Sequence, residues 1–206
     1  MAYKHDVFLS YTTSPPVGDW VHEHLLCFFE SYLAQALNRP DANWFVDREG
    51  ISSGDSWPER INRSLARSRC MVAVWSPLYF KSEWCLHECA VMRHRERQLG
   101  YRTMQNPSGL ILPINVFDGE HFLDFAKKIK WLDCRKFLRQ SKVFKFTPRF
   151  MELEDLMIEW ISNDVAKAIN NAPPWSEKWE TKQWIDDAIN NIHYTTGFSF
   201  KPPFLE

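Results

Sequence analysis

The chain of 206 residues balances Lys+Arg 25 against Asp+Glu 26, a formal net charge of -1, with 45% hydrophobic and 25% charged residues. These values fit one globular core with a short appendage, and they argue against two full domains, a disordered chain or a polyanion binder held by bulk charge. No window nears the roughly 18 apolar residues of a spanning helix, so no membrane span, signal peptide, membrane partner or nucleic-acid partner is expected. Cys27, Cys70, Cys85, Cys89 and Cys134 are odd in number and sit mostly inside apolar patterns. That usage predicts reduced thiols and a cytoplasmic location.

In chain order, Asp6 to Tyr11 (DVFLSY) is an apolar, β-branched and aromatic run of the kind a buried parallel strand needs. It stops at the Pro-broken stretch Thr12 to Gly18. From Asp19, which is placed to cap the first turn, Val21, Leu25, Phe28, Phe29, Tyr32 and Leu37 recur at helical steps until Asn38-Arg39-Pro40. Trp44 to Asp47 (WFVD) predicts a second strand. Arg48 to Asp55, with Gly50, Gly54 and two serines, predicts a loop. Ser56 and Glu59 match a capping box with Pro58 in the first turn, and Ile61 and Leu65 give the helix that follows its buried stripe.

Cys70 to Trp75 is a continuous apolar run closed by Ser76-Pro77, the signature of a strand covered on both faces. Ser82 can cap a helix reaching about Gln98, whose end, Arg93-His94-Arg95-Glu96-Arg97, reads as solvated. Leu110 to Phe117 predicts a fourth strand, Phe122 to Ile129 a short helix, Trp131 to Phe137 a fifth strand, and Phe150 to Ile169 a long helix. From Ala172 the character changes, with Pro173-Pro174, then Trp175, Trp179 and Trp184. Trp184, Ile185, Ala188 and Ile189 share one helical stripe, which predicts docking on the core or on a second subunit.

Strands alternating with helices at this spacing predict an α/β fold: an open parallel sheet with helices on both faces. Ligands in such sheets bind at the carboxyl ends of the strands, here Thr12 to Gly18, Arg48 to Ser56 and Ser76 to Ser82. No G-x-G-x-x-G follows the first strand and no G-x-x-x-x-G-K-[ST] exists. His87-Glu88 begins like a zincin helix, but Val91 stands where the second histidine belongs, and Cys85 and Cys89 share a face that His87 does not; no metal is expected. Trp84 and Glu88, four residues apart, share a helix face, so an indole and a carboxylate can line one pocket. The same spacing also fits a core tryptophan beside a surface glutamate.

Read together, these segments resemble a TIR (Toll/interleukin receptor) domain from residue 5 to about residue 170. HDVFLSY resembles the first box, WFVDREGISSGDSWPERI the second strand, BB loop and following helix, SEWCLHE the third-helix motif of bacterial and plant members, and Trp131-Leu132-Asp133 a late strand. The resemblance implies a flavodoxin-like, five-stranded sheet. With the change of character at Ala172, the chain divides into 1–171, the TIR-like domain, and 172–206, an aromatic-rich extension that packs on the core, forms a subunit contact or leads to another domain. It further implies cleavage of NAD+ at the nicotinamide–ribose bond, giving nicotinamide and ADP-ribose or a cyclic isomer. Glu88 matches the catalytic glutamate and Trp84 completes the W-x-x-x-E spacing of bacterial members. Tyr11, Thr12 and Asp47 would border the nucleotide. NAD+ enters as substrate with no cofactor, the partners are further TIR domains through self-association, and a bacterial antiviral role fits the motif style. The alternative is a noncatalytic scaffold acting through TIR–TIR contacts. The BB loop lacks the Pro-Gly ending of animal adaptors, and Pro15-Pro16 interrupts the loop after the first strand.

Overall fold

The computed structural model describes residues 2–46, 57–120, 122–139 and 141–196, with the backbone alone at 57 and 192–196. Strands β1 (His5–Ser10), β2 (Trp44–Val46), β3 (Ser68–Trp75), β4 (Ile111–Asn115) and β5 (Leu132–Asp133) pair in parallel in the order β2-β1-β3-β4-β5. This is the flavodoxin-like open α/β arrangement, and its strand order reverses between β1 and β3. The alternation of side chains along each strand explains why the sheet is covered twice. Val7, Leu9, Cys70, Val72 and Val74 enter one apolar cluster, whereas Phe8, Met71, Ala73 and Trp75 enter another on the opposite face.

The first face is covered by two long helices. α1 runs through Val17–Trp20, a π-helical turn Val21–Leu25 and Leu26–Leu37, and α5 through Pro148–Trp160, a π-helical turn Ile161–Val165 and Ala166–Asn170. The second face carries α2 (Trp57–Ala66), α3 (Glu83–Gln98) and the short α4 (Asp124–Lys127). As expected, Ile61 and Leu65 are fully buried, and Ser82 Oγ caps α3 by accepting from the Cys85 N–H at 3.3 Å. α1 ends at Asn38 in the left-handed region (φ 49), its N–H satisfying the Ala34 and Gln35 carbonyls. The segment Arg48 to Ser56 lies outside the described residues.

The fifth strand, expected over Trp131 to Phe137, is strand only at Leu132–Asp133, because the chain turns into a 3-10 helix over Arg135–Phe137. Two other readings need correction. Asp19 does not cap α1, which starts two residues earlier at Val17 with Pro16 in the cap position and no side-chain cap bond. Gly18 permits this start, because a Cβ there would stand 2.1 Å from the Thr13 carbonyl oxygen. Gly18→Ala should therefore push the loop after β1 away from the helix, costing about 1–3 kcal/mol as overpacking does. Thermal melting checks this, and an unchanged midpoint contradicts it.

The second correction concerns Arg93 to Arg97, read as solvated. His94, Arg95 and Glu96 are buried. The described residues that follow Asn171 fold back over this end of α3. Trp179 lies beneath the Arg95 guanidinium at 4.2 Å, and the Trp184 ring meets His94 edge-on at 4.4 Å. A last helix, α6 (Lys182–Thr196), lies along α3 with Trp184, Ala188 and Ile189 buried. Arg67 pairs with Glu180, and Tyr3 donates to the Pro173 carbonyl at 2.7 Å. Glu96 turns inward for a different reason: its carboxylate accepts from the N–H groups of Leu110 and Ile111 and from Arg102, which anchors the start of β4.

Candidate functional site

Because Phe8 points toward the α3 face, Ser10 two residues on must point there as well, at the carboxyl end of β1. α3 begins at the carboxyl side of the sheet, and its second turn brings Glu88 over that same strand end. The two meet: Ser10 Oγ donates to Glu88 Oε2 at 2.5 Å, and both residues are buried. A serine hydroxyl has one proton, so the bond to Tyr79 OH at 2.9 Å must run from the phenol to Ser10. Burial raises the Tyr79 pKa well above its ordinary value, which keeps that phenol a donor. A Tyr79–Ser10–Glu88 chain thus fixes one carboxylate oxygen at the β1/β3 switch point, where ligands of open α/β sheets bind.

The alternative reading of the W-x-x-x-E spacing is reversed in the fold. Glu88 is 7% exposed, while Trp84 is half-buried. Trp84 packs edge-on against His87 at 5.6 Å, and His87 Nε2 bonds Asn62 Oδ1 at 2.6 Å. Burial lowers the His87 pKa to about 4. An unfolded chain with an ordinary histidine takes up a proton below about pH 6.5 that the native state refuses until about pH 4, so stability falls as pH falls through that window. The loss approaches 3 kcal/mol at about pH 4, by roughly 1.4 kcal/mol per pKa unit. His87→Gln should flatten this acid limb in melting curves; an equally steep limb contradicts the assignment.

Tyr11 packs with the α1 face, its hydroxyl bonded to His22 Nε2 at 2.6 Å. Thr12 is buried, and its Oγ1 has no hydrogen-bond partner among the described residues, at the exit of β1. Trp75 Nε1 and Asn115 Nδ2 also lack a hydrogen-bond partner among the described residues, and they belong to residues that face each other in register at the carboxyl ends of β3 and β4. Asp47 lies outside the described residues. Ser10 and Tyr79 were missed by the sequence reading; the available signal was a polar residue ending an otherwise apolar strand on the Phe8 face. Two clefts of about 600 and 830 Å³ lie elsewhere, beside β2 and α2 and between β4, β5 and α5, and neither includes Glu88.

The family model described as "TIR domain" matches residues 7–144. A Brachypodium distachyon protein named as a probable 2' cyclic ADP-D-ribose synthase, BdTIR, is 35% identical over 80 residues, covering 38% of this chain and 36% of that protein. An Arabidopsis thaliana disease resistance-like protein is 36% identical over 70 residues, covering 34% of this chain and 6% of that protein. The chain therefore matches about a third or less of the length of these curated relatives. Among solved structures, the TIR domain of a Toll-related receptor from Hydra magnipapillata has TM-score 0.45 at 23% identity, covering 74% of this chain and 98% of that one. The TIR domains of the activated Roq1 resistosome give TM-score 0.38 at 17% identity, covering 92% and 99%. With its family model matched over more than half the chain, from the core of β1 past β5, the chain belongs to the TIR-domain family.

Proposed function

We propose that this chain cleaves the nicotinamide–ribose bond of NAD+, with Glu88 as the carboxylate that stabilises the ribose cation. The observation that carries the reading is a buried carboxylate held by Ser10 at the switch point of the sheet. The name of the Brachypodium relative supports the same chemistry. When the bond breaks, its electron pair goes to the pyridinium nitrogen, and nicotinamide leaves neutral without taking a proton. Positive charge builds on the ribose, the problem that glycosidases also solve with carboxylates. A preorganised anion in a site shielded from water lowers that barrier. Water then adds and releases a proton to give ADP-ribose, or an adenine nitrogen closes the ring to a cyclic isomer.

In this reading the Thr12 hydroxyl bonds the nucleotide, the half-buried Trp84 indole walls the site, and Tyr11 and Asp47 border it. NAD+ is the substrate and no cofactor takes part. Residues 1–171 form the catalytic domain and 172–206 an extension of it, in a cytoplasmic protein. Self-association through TIR–TIR contacts belongs to the same proposal, and activity per molecule then rises with protein concentration. A bacterial antiviral response is the proposed setting; the plant relative named for disease resistance supports an immune role in the broader sense.

Tyr79→Phe tests how the carboxylate is held. It keeps the ring but leaves the Ser10 hydroxyl without its donor. We expect kcat to fall about tenfold, the equivalent of one neutral hydrogen bond, with KM little changed. Ser10→Ala should cost more and Ser10→Thr less. A Tyr79→Phe variant with native kcat contradicts the positioning role. The reading as a whole is tested by incubating the protein with NAD+ and measuring free nicotinamide; failure at assembling concentrations favours the noncatalytic scaffold.

A further inference from the structure

Between Arg135 and Arg149 the sequence carries six cations and no acid, in a chain whose net charge is -1. Two are neutralised, Arg135 by Asp133 and Lys136 by Glu152. The other four, Arg139, Lys142, Lys145 and Arg149, are exposed and make no ion pair among the described residues. This concentration of charge coincides with exposed apolar side chains. Val143 is 68%, Phe146 88% and Met151 65% exposed.

The exposure is built into the fold. The 3-10 turn Lys142–Phe146 is pinned by Phe144, which is buried against His24 at 5.2 Å and Phe150 at 5.6 Å. With Phe144 anchored inward, Val143 and Phe146 are held outward between Lys142 and Lys145, and Met151 follows from the first turn of α5.

We infer that this face docks on an anionic lipid bilayer, a membrane partner that the hydropathy of the sequence did not lead one to expect. Side chains this exposed protrude rather than line a groove, so they suit insertion into a soft interface. The cations around them suit the negative potential of acidic headgroups, which draws the chain in before the apolar tips enter. A single-stranded nucleic acid would need a platform of exposed rings, and the other aromatic rings of this segment, Phe137 and Phe144, are buried. Spanning is a separate matter: among the described residues no helix is long and apolar enough to cross a membrane. The contact is peripheral and does not depend on the activity proposed for Glu88.

The test is cosedimentation of the full chain with phosphatidylcholine vesicles, with and without phosphatidylserine. Binding is expected only with phosphatidylserine, weakening as salt rises. The double variant Lys142→Glu, Lys145→Glu should weaken it about 25-fold or more, since each cation near such a surface is worth roughly fivefold. Phe146→Ser should weaken it about fivefold or more with an unchanged melting temperature. Equal binding to both vesicle types overturns the inference. So does full binding by Phe146→Ser, which would leave a purely ionic contact with headgroup phosphate. An RNA oligonucleotide that binds more tightly than the vesicles through the same lysines also overturns it, in favour of a nucleic-acid surface.

Discussion

Glu88→Gln should lower NAD+ cleavage by about 10²–10³-fold, the scale of removing one preorganised electrostatic stabiliser from a site shielded from water. The amide oxygen can still accept the Ser10 hydroxyl, so the chain Tyr79–Ser10–residue 88 survives and the fold should hold. What disappears is the negative charge opposite the developing ribose cation. The loss should therefore appear in kcat and kcat/KM together, with KM near its native value. Thermal melting of the variant separates lost chemistry from lost structure. Native turnover in a folded Glu88→Gln protein would remove Glu88 from the mechanism.

Arg95→Ala should be the most destabilising single change outside the site, at roughly 3–5 kcal/mol. The side chain is fully buried, and burial lowers its pKa to about 10, so it remains charged at neutral pH. Its compensation is local. Nη1 donates to the Ser68 carbonyl at 2.8 Å, and Nη2 to the carbonyls of Leu65 and Ala66 at 3.0 and 3.2 Å. The last two close α2, where the helix dipole favours a cation, and the Trp179 ring covers the guanidinium. Removing the fork strands those carbonyls and opens a cavity under Trp179. At roughly 2–4 °C per kcal/mol for a domain of this size, the melting temperature should fall by about 10 °C. Truncation after Asn171 removes Trp179 and Glu180 and should lower it too, without changing the oligomeric state in solution. If neither change moves the midpoint, Arg95 does not tie the C-terminal segment to the core.

Much of this was legible because the sheet is buried on both faces. Runs such as CMVAVW are apolar throughout, and only a strand covered on both faces demands that. The place of Glu88 on a helix at the carboxyl edge of the sheet was legible through its spacing from Trp84 and through the capping Ser82. The failures have physical causes. Asp19 fitted a cap, but the close approach of Gly18 to Thr13 let the helix start earlier, and a tertiary contact leaves no local pattern. Arg95 looked solvated because charge usually is, and its burial depends on a tryptophan 84 positions along the chain. Ser10 was overlooked because a serine closing a strand is ordinary; its meaning depends on α3 crossing above it. Tyr79 lies between two strands in sequence and gains its role from the same crossing.

The most direct test of the account is nicotinamide release from NAD+ by the full chain over rising protein concentration, run beside Glu88→Gln matched for melting temperature. The account predicts release by the native protein that climbs faster than its concentration and falls about 10²–10³-fold in the variant. Absence of nicotinamide from the native protein where light scattering reports assembly, or equal release by both proteins, would contradict it.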